Sequence, residues 1–577
     1  MLQIVVECMH TSNLVSDSDF AVALRQCRVF ANCGQYIESL AVAEQLTTYA
    51  PKHVDGWLCM ANALSALGRF SEALTGYQSA LKLQPSAPDL HHNVGVMLLR
   101  IGKISMALAY LQHAAELGLN HPALHRNLGH ALLQSGDHAG SERHFRLAIE
   151  LAPTHHSSNS GLLFSLIHHP GLSASTLFGA HRQYGEQLEA PYLNGWQTKV
   201  RDAAPERSLR LGFLSADFRD HPVARFIQPV WQHLDRQQFA IHAYSNSPAQ
   251  DERTLQLKGL ADQWTQTHQM SDTELDSRIR ADQIDILFDL SGHTEGNRLP
   301  VLARKPAPIQ IGWIGYPGTS GLKAMDWRIV DAHVAQPGEL DAQFTERLLF
   351  LDSSGAFEDV ADAPLPNALP ALTNGYLTLG SFNRPNKITA EAIRLWATVL
   401  NALPNARMLI GSMNDVGRRS NMLAQFQHLG IAAERLSFEP AMPLPAYLAL
   451  HHRVDVLLDT QPFTSGTTVN HALWMGVPLI TLQGDTLAQR LSAAHLRRAG
   501  LGHWVATSAD AFVDIATSLP NRLDELALLR QALRGQLAGD KARSGAKVAQ
   551  YLGIVLRGLW QEQCLVNPLT LPSKFET

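Results

Sequence analysis

The sequence predicts a helical solenoid followed by two doubly wound α/β domains. Three observations carry this. Gly34, Gly68, Gly102 and Gly136 keep one unbroken spacing of 34 residues, the length of a helix–turn–helix repeat. From Leu209 onward, short apolar runs alternate with helical stretches, the pattern of a parallel sheet covered on both faces. The alternation lapses over Asp352–Asn374, rich in Pro, Ala and Asp, and restarts at Leu377, so two such sheets are expected.

The solenoid comes first, over residues 1–155. Its register recurs in other columns: Pro51, Pro85 and Pro153 with Leu119 in the missing slot, Ala80, Ala114 and Ala148, and Tyr77, Leu111 and Phe145. Glycine permits a turn with positive φ at a helix end. Alanine lets paired helices approach, and proline ends the second helix of each unit. A 34-residue period of this kind is that of tetratricopeptide repeats, which hold other polypeptides. Asn93 and Asn127 stand one period apart on first helices, either as an amide ladder for an extended peptide or as an ordinary polar inner face.

Composition limits the partners. The 577 residues exceed one core, and the net charge of −5 supplies no basic field for nucleic acid. No apolar run has the length of a membrane span. The opening Met1–Met9 lacks the basic start of a signal peptide. Cys8, Cys27, Cys33, Cys59 and Cys564 form no CxxC, which argues against a zinc site or disulfide framework and suits a cytoplasmic location. The 27 histidines show no metal-ligand spacing.

A helical connector is expected over 156–206, broken at His169-Pro170-Gly171. The first α/β domain, 207–355, has strands at Leu209–Ser215, Phe239–Tyr244, Ile284–Leu290, Pro308–Trp313 and Trp327–Val330. The second, 370–577, has strands at Leu377–Phe382, Ala406–Gly411, Leu436–Phe438, Val454–Asp459 and Val477–Leu482, then tail helices. Such paired domains often bind a nucleotide-linked substrate in the cleft between them.

The strongest local signal is Asp459–Pro478. A buried strand leads through small hydroxyl residues and Gly466 into a helix starting at Thr467 and Thr468. Backbone N–H groups, two hydroxyls and the helix dipole would then converge on an anion such as a diphosphate. The plainer reading is an N-cap with spare threonines. Lys387, in Asn383–Lys387 just past a strand, reads as a neutraliser of a leaving diphosphate or as an exposed loop lysine. Asp217 and His221 follow the first strand of the first domain. A near-neutral histidine there suits removal of a hydroxyl proton, or simply starts the helix before Pro222.

Trp474–Thr481, Ser215–Pro222, Pro306–Gln310 and Gly315–Gly321 together resemble the protein O-GlcNAc transferase family, and the helical repeats complete the likeness over nearly the whole chain. The resemblance implies a GT-B fold and UDP-GlcNAc as donor. It also implies Ser/Thr hydroxyls of proteins as acceptors, and inversion at the anomeric carbon with no metal or other cofactor. It puts Lys387 on the diphosphate, with Thr467 and Thr468 beneath it, and Asp217 and His221 beside sugar and acceptor. The general base stays open between His221, water and a donor phosphate oxygen. Gly315 and Pro317 belong to a family block taken as substrate-binding. Phe438–Pro443, with Met442, resembles the uracil pocket. Tyr447 would supply its stacking ring where animal enzymes carry histidine.

Two departures matter. Arg384 replaces a common Gln, and His471 stands where the family contacts ribose through an acid. They leave open another sugar nucleotide, GDP-fucose or UDP-glucose. Two further rivals are a non-catalytic repeat scaffold retaining a nucleotide site, and a phosphorylase-like or small-molecule transferase. Intact Lys387, Thr467, Thr468 and His221 speak against the first, and the peptide-type solenoid against the second.

Overall fold

The computed structural model describes residues 17–196, 202–357, 360 and 362–566. Cys8 and the opening Met1–Met9 lie outside these. The described chain forms two compact units, one of residues up to Pro153 with Asn414–Ser420, the other of the remainder.

In the first unit, paired helices follow the 34-residue register: Asp17–Asn32 with Tyr36–Tyr49, Val54–Ala66 with Phe70–Leu83, Pro88–Arg100 with Ile104–Glu116, and Pro122–Ser135 with His138–Leu151. The four periodic glycines all have positive φ, between 76° and 85°. At Gly136 the left-handed residue returns its N–H to the last carbonyls of the helix. Ala80, Ala114 and Ala148 are fully buried, as are Leu111 and Phe145, with Tyr77 5% exposed. A second column explains the close packing: a Cβ on Gly129 would come within 2.9 Å of the Phe145 ring. Among the predicted peptide contacts, Asn127 is 8% exposed and its amide lies 3.0 Å from His92 Nε2, while Asn93 is half-buried. Asn127 thus contacts the neighbouring repeat through its amide.

The second unit holds both sheets. The first has seven strands: β1 (Leu209–Ser215), β2 (Phe239–Ser245), β3 (Gln263–Gln266), β4 (Ile286–Asp289), β5 (Ile309–Gly312), β6 (Trp327–Asp331) and β7 (Arg347–Leu351), in the order β3-β2-β1-β4-β5-β6-β7. The second has six: β8 (Thr378–Ser381), β9 (Arg407–Ile410), β10 (Leu436–Phe438), β11 (Val456–Leu458), β12 (Leu479–Leu482) and β13 (Val505–Ala506), in the order β10-β9-β8-β11-β12-β13. Every pairing is parallel. The strand order reverses at β1/β4 and at β8/β11, the switch points where such sheets open a crevice at their carboxyl ends.

Two findings alter the expected domain plan. The connector helices, His156–Leu166 and Ala174–Glu189, are built into the first sheet's domain. His181 Nε2 lies 2.7 Å from the Tyr316 hydroxyl, Ser160 Oγ 3.0 Å from His293 Nδ1, and the Ala324 N–H donates to Glu189. The tail of the 370–577 block also does not stay with the second sheet. Its last helix, Gly545–Val566, places Val548, Leu552, Leu556 and Trp560 in the first domain's core beside Phe213, Trp231 and Phe239. An apolar stripe covers that sheet regardless of where it stands in the chain. The two α/β domains also share a cluster in which Val330, Val334 and Phe344 meet Leu487 and Ala494.

Candidate functional site

The loops after β1, β8 and β11 leave the carboxyl ends of strands at the two switch points, which brings residues from both sheets together. The β1 loop runs through Asp217 into the helix Pro222–His233, with His221 as its N-cap. His221 Nδ1 lies 3.4 Å from the Val223 N–H that it accepts, and 3.6 Å from Asp217 Oδ1. Nδ1 therefore presents a lone pair to the helix start, and Nε2 carries the proton of the neutral ring. Burial first, then the Arg384 and Arg219 charges, draw its pKa down to about 3. Asp217, 6% exposed, has its pKa raised by burial, opposed by Arg219 and Arg384. Arg384, from the second sheet, thus faces both first-domain residues.

Lys387 lies in the short turn Pro385–Lys387 after β8. Its Nζ donates to the Thr464 carbonyl at 2.8 Å and sits 3.9 Å from the Phe463 ring centroid. Burial, with a smaller push from Arg384 and an opposing pull from Asp459, brings its pKa to about 7. The β11 loop that supplies Phe463 and Thr464 is ordered by Asp459. This carboxylate accepts from the Thr460 N–H at 2.9 Å, Ser465 Oγ at 2.6 Å and Thr481 Oγ1 at 2.8 Å. The loop ends at Gly466, and Thr467 and Thr468, half-buried, open the helix Thr467–Trp474. A cation from the β8 loop and a helix N-terminus on the β11 loop are thus brought together, an arrangement that favours bound phosphates.

Around this helix stands an aromatic group. The Tyr447 ring is edge-on to His471 at 5.6 Å and to His451 at 5.2 Å, and its hydroxyl hydrogen-bonds Thr468. His471 is 7% exposed, and burial with the nearby Arg225 draws it down to about 4. It is neutral and offers a ribose hydroxyl a neutral hydrogen-bond partner rather than a carboxylate. Met442 is half-buried against the second domain's core.

Gly315, half-buried, and Pro317 lie where two backbone segments approach closely. A Cβ at Gly315 would lie 2.0 Å from the Leu290 carbonyl oxygen, and Pro317 is buried. The polar side chains of this loop, Thr319 and Ser320, donate to Glu346, and Tyr316 is fully buried against the connector. The block seats the connector. Its Gly315 and Gly321 serve close backbone approach.

Sequence reasoning assigned no role to Asp459, Phe463, Thr464 or Arg225. Asp459 had a signal: an Asp at a strand end before small polar residues organises a turn. Phe463 had none, because its importance lies in a contact with Lys387 far away in the chain.

Two parallel switch-point sheets, with a cation, a helix N-terminus and a carboxylate–histidine pair drawn from both, define a glycosyltransferase of the GT-B architecture. Glycosyl transferase family 41 matches residues 186–362 and 369–543, and tetratricopeptide-repeat profiles match 61–102 and 96–156. The chain belongs to glycosyl transferase family 41. It is 32% identical over 397 residues to the Arabidopsis thaliana "Probable UDP-N-acetylglucosamine--peptide N-acetylglucosaminyltransferase SPINDLY", covering 67% of this chain and 43% of that protein. The Oryza sativa SPINDLY is likewise 32% identical, over 406 residues, with 67% and 42% covered. The chain thus spans less than half the length of these curated relatives. A solved lysine-to-methionine mutant of the Thermobaculum terrenum O-GlcNAc transferase matches with a TM-score of 0.83 at 32% identity, over 90% of this chain and 99% of that one.

Proposed function

We propose that this chain transfers N-acetylglucosamine from UDP-GlcNAc to Ser or Thr hydroxyls of a polypeptide, inverting the anomeric carbon and using no metal. The observation that carries this is Lys387 on the β8 loop, enclosed by Phe463 and the Thr464 carbonyl of the β11 loop that opens the helix at Thr467. A diphosphate there meets one cation and the N–H groups of a helix start, the stabilisation that a departing nucleotide needs. The acceptor oxygen attacks the anomeric carbon from the face opposite the diphosphate. The bond to the phosphate oxygen breaks as the new glycosidic bond forms, and the electron pair leaves with UDP.

In this reading His221 positions rather than removes a proton. Its Nδ1 is occupied by the helix N–H, which leaves Nε2–H as a donor. The hydroxyl proton then goes to a donor phosphate oxygen or to water. Tyr447, Met442 and His471 fit the base and ribose end, the solenoid holds the polypeptide, and a cytoplasmic setting belongs to the same proposal. Among the described residues no helix is long and apolar enough to cross a membrane.

Arg384 favours a second reading of the sugar. Its charge acts on Asp217 and His221, where it would select the transferred group. Calorimetric titration with UDP, GDP, UDP-GlcNAc, UDP-glucose and GDP-fucose, followed by transfer to a Ser/Thr peptide, separates the readings. Tight binding of GDP with none of UDP would overturn the first.

A further inference from the structure

Lys387 is flanked by two groups that a single residue of the connector touches. One is Phe463, under its Nζ at 3.9 Å. The other is Asn386, its chain neighbour, 5% exposed. The His168 ring meets the Phe463 ring at 4.8 Å and 60°, and His168 Nε2 lies 3.5 Å from Asn386 Nδ2. His168 is 1% exposed and lies just after the helix His156–Leu166.

The imidazole is oriented. Its Nδ1 lies 2.8 Å from the Phe164 carbonyl oxygen, which can only accept, so Nδ1 bears the proton. Nε2 is then a lone pair facing the Asn386 amide. The Phe164 ring packs on the imidazole at 4.9 Å and on Tyr316 at 6.4 Å, tying the group to the first domain. A leucine would fill the slot without the desolvation cost of two ring nitrogens. A histidine adds a fixed direction to both neighbours of the lysine.

We infer that His168 is a positioning residue for Lys387: through Phe463 and Asn386 it fixes the ammonium beneath the phosphate loop and keeps water from it. This rests on the donor-site reading of Lys387 given above. The charged groups that face the lysine are Asp459 from the end of β11 and Arg384 from its own turn, and the connector adds a hydrogen-bonded imidazole.

The test is titration of the full chain with UDP at pH 6.5, 7.5 and 8.5. Wild-type affinity should fall roughly tenfold across this range as Lys387 loses its proton. In His168→Ala, water reaches the ammonium and restores its ordinary high pKa, so the pH dependence flattens. Turnover should fall roughly tenfold, with the donor KM within about threefold. His168→Phe keeps the ring contact without the hydrogen bonds and should lie between. Phe463→Leu removes the shared ring and should flatten the profile as His168→Ala does, so it carries the test if His168→Ala fails to fold. An unchanged pH dependence in folded His168→Ala or in Phe463→Leu overturns the inference alone. A wild-type chain that binds no nucleoside diphosphate overturns the donor-site reading together with it.

Discussion

Lys387 is the residue on which most depends. Its ammonium is held by a carbonyl and an aromatic face, so its removal leaves a small void rather than a buried unpaired charge. Lys387→Met should lower turnover by about 3 kcal/mol in transition-state stabilisation, a factor of about a hundred. Thermal stability should change little. Single-turnover kinetics together with a melting curve would check both. His221 gives a different expectation. With its pKa drawn down to about 3, the ring is neutral throughout the working range. An acid limb in the rate profile between about pH 5 and 7 therefore does not come from it. His221→Ala should still lose most activity while UDP affinity stays within a few fold. A normal rate in that variant would remove His221 from the mechanism. Asp217, His221 and Lys387 were legible because each lies just past an apolar strand, where such sheets gather their ligands. Phe463 and His168 were not legible, since both act through contacts with residues far away in the chain.

At the scale of elements, the columns of the solenoid were readable because each repeat imposes the same turn on the same position. Three of the four edge strands were not. β3, β7 and β13 all lie at sheet edges and are partly exposed; β3, Gln263–Gln266, and the two-residue β13 lack the continuous apolar run that marks central strands. The last helix was read as helical, but its destination was hidden, because amphipathicity names a face and not the surface that face will meet. Trp560 there is fully buried, donates its indole N–H to the Ala204 carbonyl at 3.2 Å, and is covered by the Arg207 guanidinium at 4.4 Å. Trp560→Ala should cost about 3–5 kcal/mol. Hydrogen exchange should show the loss in β1 and β2 first, with β8 and β11 still protected. Equal loss in both sheets would contradict the packing described.

The whole second unit should be sensitive to acid. His181, His471 and His495 are drawn down to about 4, and His221 and His451 to about 3, each mainly by burial. In the unfolded chain these groups titrate near about 6.5. The fold therefore favours the neutral rings. That stability is complete above about pH 6.5 and is lost as the pH falls toward the folded values. Each group adds at most about 1.4 kcal/mol per pH unit. Several acting together rival the usual total stability of a domain. The melting temperature of this unit should drop steeply between about pH 6 and pH 5. A flat profile there would mean that the histidines are hydrated in solution. None of this was visible in a count of histidines scattered along the chain; burial, which only the fold supplies, turns them into a common liability.

The returning last helix also bears on how the protein is made. A ribosome releases the strands of the first sheet long before it releases Trp560, so that sheet emerges with one flank of its core missing. The second sheet emerges later yet holds its own core in chain already translated. Synthesis thus inverts the usual order in which N-terminal domains settle first. The half-built first sheet must wait, with apolar surface uncovered, as a natural client for a chaperone until residues near 566 come free.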